Sequence, residues 1–163
     1  MKSQYEKKRL ITFDRIKIKS NYKYLLATKV KFNEMFHSRS GERIGIFYSS
    51  KDDINISYNL YIAVSYVKQT LTLEFSSKIL KEKYPDLISR DTIKECLTNI
   101  NQLNICEIDV DSILSNGAIT SVDVTYDANL ILSDNLLNVL NSQVNNYRRF
   151  KWAHYDKEGI TFT

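Results

Sequence analysis

The chain has 163 residues, a formal net charge of +4, and 43% hydrophobic with 12% aromatic residues, an ordinary globular composition with room for one well-packed core. No apolar run approaches the roughly 20 residues of a membrane helix. With no signal-like run before the first strand and no metal-type spacing around Cys96 and Cys106, we expect a cytoplasmic chain with reduced thiols and no membrane partner.

Linker-type Pro and Gly punctuation is nearly absent, so one domain over 1–163 is expected. Charge is unevenly spread. Residues 1–31 hold ten Lys or Arg against Glu6 and Asp14, whereas residues 85–134 hold Arg90 and Lys94 against nine Asp or Glu. That asymmetry suits a protein that holds a polyanion with one surface and a cation with another, and it equally suits two solvated faces.

In chain order, Arg9 to Lys19 alternates as a first strand with an irregularity near Asp14. Ile11, Phe13 (or Ile16 after a slip in phase) and Ile18 form its apolar side, and Arg9, Lys17 and Lys19 are candidates for the solvent face. Asn21 to Thr28 reads as one or two helical turns capped by Ser20 or Asn21. Lys29 to Phe36 and Arg43 to Ser49 read as strands joined by a Ser- and Gly-containing loop, followed by strands over Asn55 to Lys68 and Gln69 to Phe75. Ser76 to Pro85 reads as a short serine-capped helix that proline ends.

Asp91 to Leu103 carries Ile93, Cys96, Leu97, Ile100 and Leu103 in one helical stripe. Ile105 to Val110 alternates as a strand, Ser112 to Ser115 is a turn, and Ala118 to Leu130 is expected to be the central strand. Val122, Val124 and Tyr126 form its apolar side, and Asp123 and Asp127 lie on its acidic side. A second helix is expected over Asp134 to Asn145, then a hairpin of Arg148 to Tyr155 and Ile160 to Thr163. A strand at the very end suggests the N-terminal part of a longer protein. The class is therefore α+β: an antiparallel sheet with two main helices packed on one face.

Three strands place acids opposite their apolar residues: Glu74, Glu107 with Asp109, and Asp123 with Asp127. On neighbouring strands such carboxylates come within about 5 Å and could hold Mg²⁺ or Mn²⁺ through oxygen. The alternative is the wet face of a sheet that packs helices on its other side. His37 and His154 stand apart, as surface or hydrogen-bonded residues rather than ligands. No Gly-rich phosphate loop, nucleophile elbow or CxxC is present, which leaves nucleotide hydrolysis and serine or thiol chemistry poorly supported. Tyr147-Arg-Arg-Phe-Lys-Trp-Ala-His-Tyr mixes cations with rings, as single-stranded nucleic acid requires and as an amphipathic strand also shows.

The basic first strand, Leu-Thr-Leu-Glu-Phe-Ser-Ser-Lys-Ile-Leu at 71–80, the helix after it, Ser-Val-Asp-Val-Thr-Tyr-Asp at 121–127, and Trp152 before Glu158-Gly-Ile-Thr-Phe resemble the N-terminal region of phage and plasmid rolling-circle replication initiators. The likeness is to the filamentous-phage gene II and transfer-like Rep types. It implies a protein that recognises an origin and nicks one strand through a tyrosine, with a divalent metal polarising the phosphate. Asp123 and Asp127 match the acidic strand pattern, and Glu74 is a third candidate ligand by strand position. The His-hydrophobic-His motif of better-known nickases is missing, and no tyrosine stands out as the nucleophile, so the catalytic residue stays unknown and this length of chain alone is not expected to nick. DNA is the expected partner, with Lys17, Lys19, Lys23, Arg148, Arg149 and Lys151 on its phosphates. The rivals are a non-catalytic nucleic-acid or protein interaction domain and a phage structural or assembly protein.

Overall fold

A break at Asp14 decides which residues of the first strand go inward. A computed structural model of the chain describes residues 11–53, 55–124, 135, 139, 152–154 and 160–162, and the chain forms two compact units, 1–125 and 126–163. Before the break, Phe13 bridges Ile88 and Ile11 is exposed. The Asp14 carboxylate then accepts a bond from the Ser77 hydroxyl at 2.8 Å. After it, β1 (Arg15–Asn21) buries Ile16 and Ile18 and leaves Arg15, Lys17 and Lys19 on the other side.

Asn21 caps a 3₁₀ turn, Tyr22–Tyr24, by accepting from the Lys23 amide at 3.0 Å. Only that one turn forms, because Leu25 continues into β2 (Leu25–Thr28). A meander follows: β3 (Asn33–Phe36), β4 (Arg43–Ser49), β5 (Leu60–Ser65) and β6 (Thr70–Ser76). The loop between β3 and β4 turns on Gly41, at φ +69°, and His37 Nδ1 there accepts from the Ser40 amide. The strand expected from Asn55 starts only at Leu60, since Asp53 takes the Asn55 amide and the Tyr48 hydroxyl and so ties the preceding segment into a loop.

Residues 77–86 form a 3₁₀ stretch broken at Lys81 (φ 58°), with Pro85 inside, instead of one serine-capped helix; the Ser76 side chain makes no capping bond. The expected stripe folds as α1 (Ile93–Gln102), burying Cys96, Leu97 and Ile100. It also buries Asn99, whose amide donates to the Ile79 carbonyl at 3.0 Å. β7 (Cys106–Ile108) pairs with β2 in a separate ribbon. Where a turn was expected, Asp109 caps α2 (Val110–Asn116), accepting from the Ser112 amide and hydroxyl.

The main sheet is wholly antiparallel, in the order β3-β4-β5-β6-β1-β8, where β8 is Ala118–Asp123. One buried cluster joins Ile16, Leu60, Ile62, Leu71, Leu73 and Phe75 of the strands to Leu97 and Ile100 of α1, Ile108 of β7 and Ile113 of α2. Each such side chain contributes about 1.5–3 kcal/mol by burial. The α+β class, with an antiparallel sheet and its helices on one face, is therefore what the chain adopts.

Among the described residues, the strand expected at the centre is instead an edge of the sheet. Val122 and Val124 remain 38% and 48% exposed, and the centre passes to β5 and β6, whose inward residues are more deeply buried. A bulge opposite Lys17 and Ile18 also interrupts the alternation of β8. The helix expected over Asp134 to Asn145 lies outside the described residues except Asn135 and Val139, which are helical. In the second unit, β9 (Trp152–His154) pairs antiparallel with β10 (Ile160–Phe162), as the expected hairpin requires. No helix among the described residues is long and apolar enough to cross a membrane.

Candidate nucleic-acid interface

The helices take one face of the sheet, so the chemistry of the other face follows from register. Directly paired residues share a face. One row runs Ser121, Lys17, Glu74, Tyr61, Ser49 across five strands, and the next runs Ala118, Lys19, Thr72, Ala63, Phe47, Asn33 across six. Arg15 stands between Ser76 and Asp123 in a third row. Three of the four outward residues of β1, Arg15, Lys17 and Lys19, are cations, the fourth is Asn21, and those of β4 and β5 include two rings.

Charges on this face meet in a chain. The Arg15 Nε lies 2.9 Å from Asp123 Oδ2 and its Nη1 lies 3.6 Å from Glu74 Oε1, while Lys17 Nζ lies 2.7 Å from Glu74 Oε2. Burial alone would push the Glu74 carboxyl up, but the Lys17 hydrogen bond and the positive charges of Lys17 and Arg15 outweigh it and hold the group below the usual glutamate range. Burial, then the Glu74 charge, pushes the neighbouring Tyr61 hydroxyl up, so it stays a neutral donor. Lys19 has no ion-pair partner among the described residues. The Arg15–Asp123 pair is about half exposed on both sides, and such a contact exchanges readily for a phosphate because it contributes little by itself.

Phe47 and Tyr61 face each other at 6.1 Å between ring centres and 33° between planes. Beside them the sheet dips into a cavity of about 370 Å³ lined by Phe47, Ser49, Lys51, Asn59, Tyr61 and Glu74. Its rim is fixed by the β4–β5 loop, where Ser50 Oγ donates to the Tyr58 carbonyl at 2.7 Å and accepts from the Leu60 amide at 2.9 Å. Asn59 Nδ2 reaches Glu74 Oε1 at 3.4 Å.

The sequence-derived candidates divide accordingly. Lys17 and Lys19 lie on the open face, and Lys23 is exposed on the 3₁₀ turn after β1. Arg148, Arg149, Lys151 and Asp127 lie outside the described residues. Glu74 and Asp123 share the open face but not adjacent strands. β1 intervenes, placing their backbones roughly 10 Å apart, and Arg15 bridges them. Glu107 is exposed on the separate ribbon, and Asp109 is committed to capping α2. Among the described residues no three His, Cys, Asp or Glu side chains converge as a metal site would need. Glu74 and Asp123 are each neutralised by a protein cation and do not converge on one ion.

Arg15, Phe47, Lys51 and Asn59 were not among those candidates. The spacing of Arg15, Lys17 and Lys19 at i, i+2, i+4 would have grouped the three cations, had the strand's phase been fixed. Phe47 and Tyr61 could be joined only by knowing the β4–β5 register. No protein-family model, curated protein or solved structure matches the chain.

Proposed function

We propose that the chain is a DNA-binding domain that holds single-stranded DNA on the open face of its sheet. The observation that carries this proposal is the presence on one face of Arg15, Lys17 and Lys19, the last without an ion-pair partner among the described residues, together with the Phe47 and Tyr61 rings. Cations that track phosphates, next to rings on which bases stack, are what sequence-tolerant single-strand binding needs. An antiparallel sheet face is also flat enough to lay a strand across several β-strands, whereas a duplex would bring its backbone to the rings and leave them unused.

The test is binding of single-stranded and duplex DNA at two salt concentrations. Single-strand affinity that falls steeply with salt, and falls further in Tyr61→Ala, supports the proposal; no binding at either concentration refutes it. Assignment to a replication initiator of a phage or mobile element, with a Mg²⁺- or Mn²⁺-dependent nicking centre drawing on Asp123 and Asp127, belongs to the same proposal and rests on the sequence resemblance alone. A rise in Tm with Mn²⁺ that Asp123→Asn abolishes supports that part. The absence of a rise removes Asp123 from such a centre.

A further inference from the structure

We infer that the cavity beside Tyr61 is a pocket for one unpaired guanine base, so that the open face reads one position of the strand it holds. This rests on the proposed single-strand binding and deepens it. At about 370 Å³, the cavity is at the small end of ligand pockets, which run roughly 300–1,000 Å³. It has room for one base with its sugar.

The walls supply what a flat, polar-edged ring needs. Phe47 and Tyr61 give apolar ring surface on one side. Glu74, directly paired with Tyr61, and Asn59 also line it, 3.4 Å apart through Oε1 and Nδ2, and Lys51 adds a cation for a phosphate. While ionised, Glu74 only accepts, and a carboxylate has about four lone-pair sites. Lys17 takes one of them at 2.7 Å, and Arg15 and Asn59 approach at 3.6 and 3.4 Å, at or beyond the long end of hydrogen bonding.

Capacity therefore remains for two adjacent donors. Among the four bases, guanine alone presents two adjacent donor groups, N1–H and the N2 amino, on its Watson–Crick edge, with the O6 acceptor beside them for the Asn59 amide. Thymine presents one donor between two acceptors, which would face the carboxylate unfavourably. Adenine and cytosine each offer one amino group next to an acceptor nitrogen.

The test compares an oligo(dT) strand of about twelve nucleotides with the same strand carrying one central guanine, and separately titrates dGMP and dTMP. Guanine is expected to tighten binding about tenfold. Replacing it by inosine, which lacks the N2 amino group, should lose most of that gain, while 7-deazaguanine, whose Watson–Crick edge is intact, should keep it. Glu74→Gln should erase the preference, and the inosine arm needs no protein variant, so a folding defect cannot mimic the result. Salt-sensitive binding of oligo(dT) with no gain from guanine overturns the guanine pocket and leaves single-strand binding intact. Preferential binding of dGMP with no strand bound overturns the DNA function and keeps the pocket.

Discussion

The two faces of the six-stranded sheet are built from alternate residues of the same strands, yet they obey different rules. On the core face of β6, Leu71, Leu73 and Phe75 are fully buried and none of them is charged. On the outer face Thr72 and Glu74 of that strand sit among Lys17, Lys19 and Tyr61. Each inner residue is fixed by what it excludes from water. Outer residues instead keep exchangeable partners: Arg15 can release Asp123, and Lys17 can release Glu74, when a phosphate arrives. Stability is thus concentrated on one face and binding capacity on the other, which leaves the second open to substitution without loss of the fold.

The sharpest way to break this contrast is to change neighbours on one strand. Leu73→Ala should cost about 2–5 kcal/mol in urea unfolding, and Thr72→Ala, one residue away on the outer face, should stay within about 0.5 kcal/mol. Equal costs would mean that the outer face is also covered. A smaller loss, about 1–3 kcal/mol, is expected for Asn99→Ala, because the buried Ile79 carbonyl then loses its donor.

The outer face should announce itself through pH. The Glu74 carboxyl is held below its ordinary range in the folded state, so its contribution to stability is fully present above the unfolded glutamate pKa and is lost as the pH falls through the folded value. Glu74→Gln should flatten that part of the acid unfolding curve, and an unchanged curve would show that Lys17 and Arg15 do not stabilise the ionised form. The smallest effect on stability is expected for Lys19→Ala, within about 0.5 kcal/mol. Its effect on DNA should be plain, a salt dependence weaker by about one phosphate contact.

How much of this was legible in the sequence depended on whether the signal was local. The α1 stripe, the β3–β4 pair and the inward Ile18 came from periodicity, and the α+β class followed from them. Asp109 with Ser112 was a readable helix cap, passed over because Asp109 also continued the alternation of the preceding strand. The position of β8 was not legible. Its valines alternate as a central strand would, but only long-range pairing places β1 between it and β6. That single fact separates Glu74 from Asp123 and puts Arg15 where a shared ion was expected. The cavity was invisible for the same reason, since its six lining residues come from β4, β5, β6 and the loop between β4 and β5, and no sequence spacing relates them.

The most direct test of the central claim is to follow the backbone amide signals of the protein by NMR while adding oligo(dT). The account predicts that the shifts gather on β1, β4, β5 and β6 around Lys17, Lys19, Phe47, Tyr61 and Thr72, and leave α1 unmoved. Shifts gathered on α1, α2 or the β2–β7 ribbon, or no shifts at all, would contradict it.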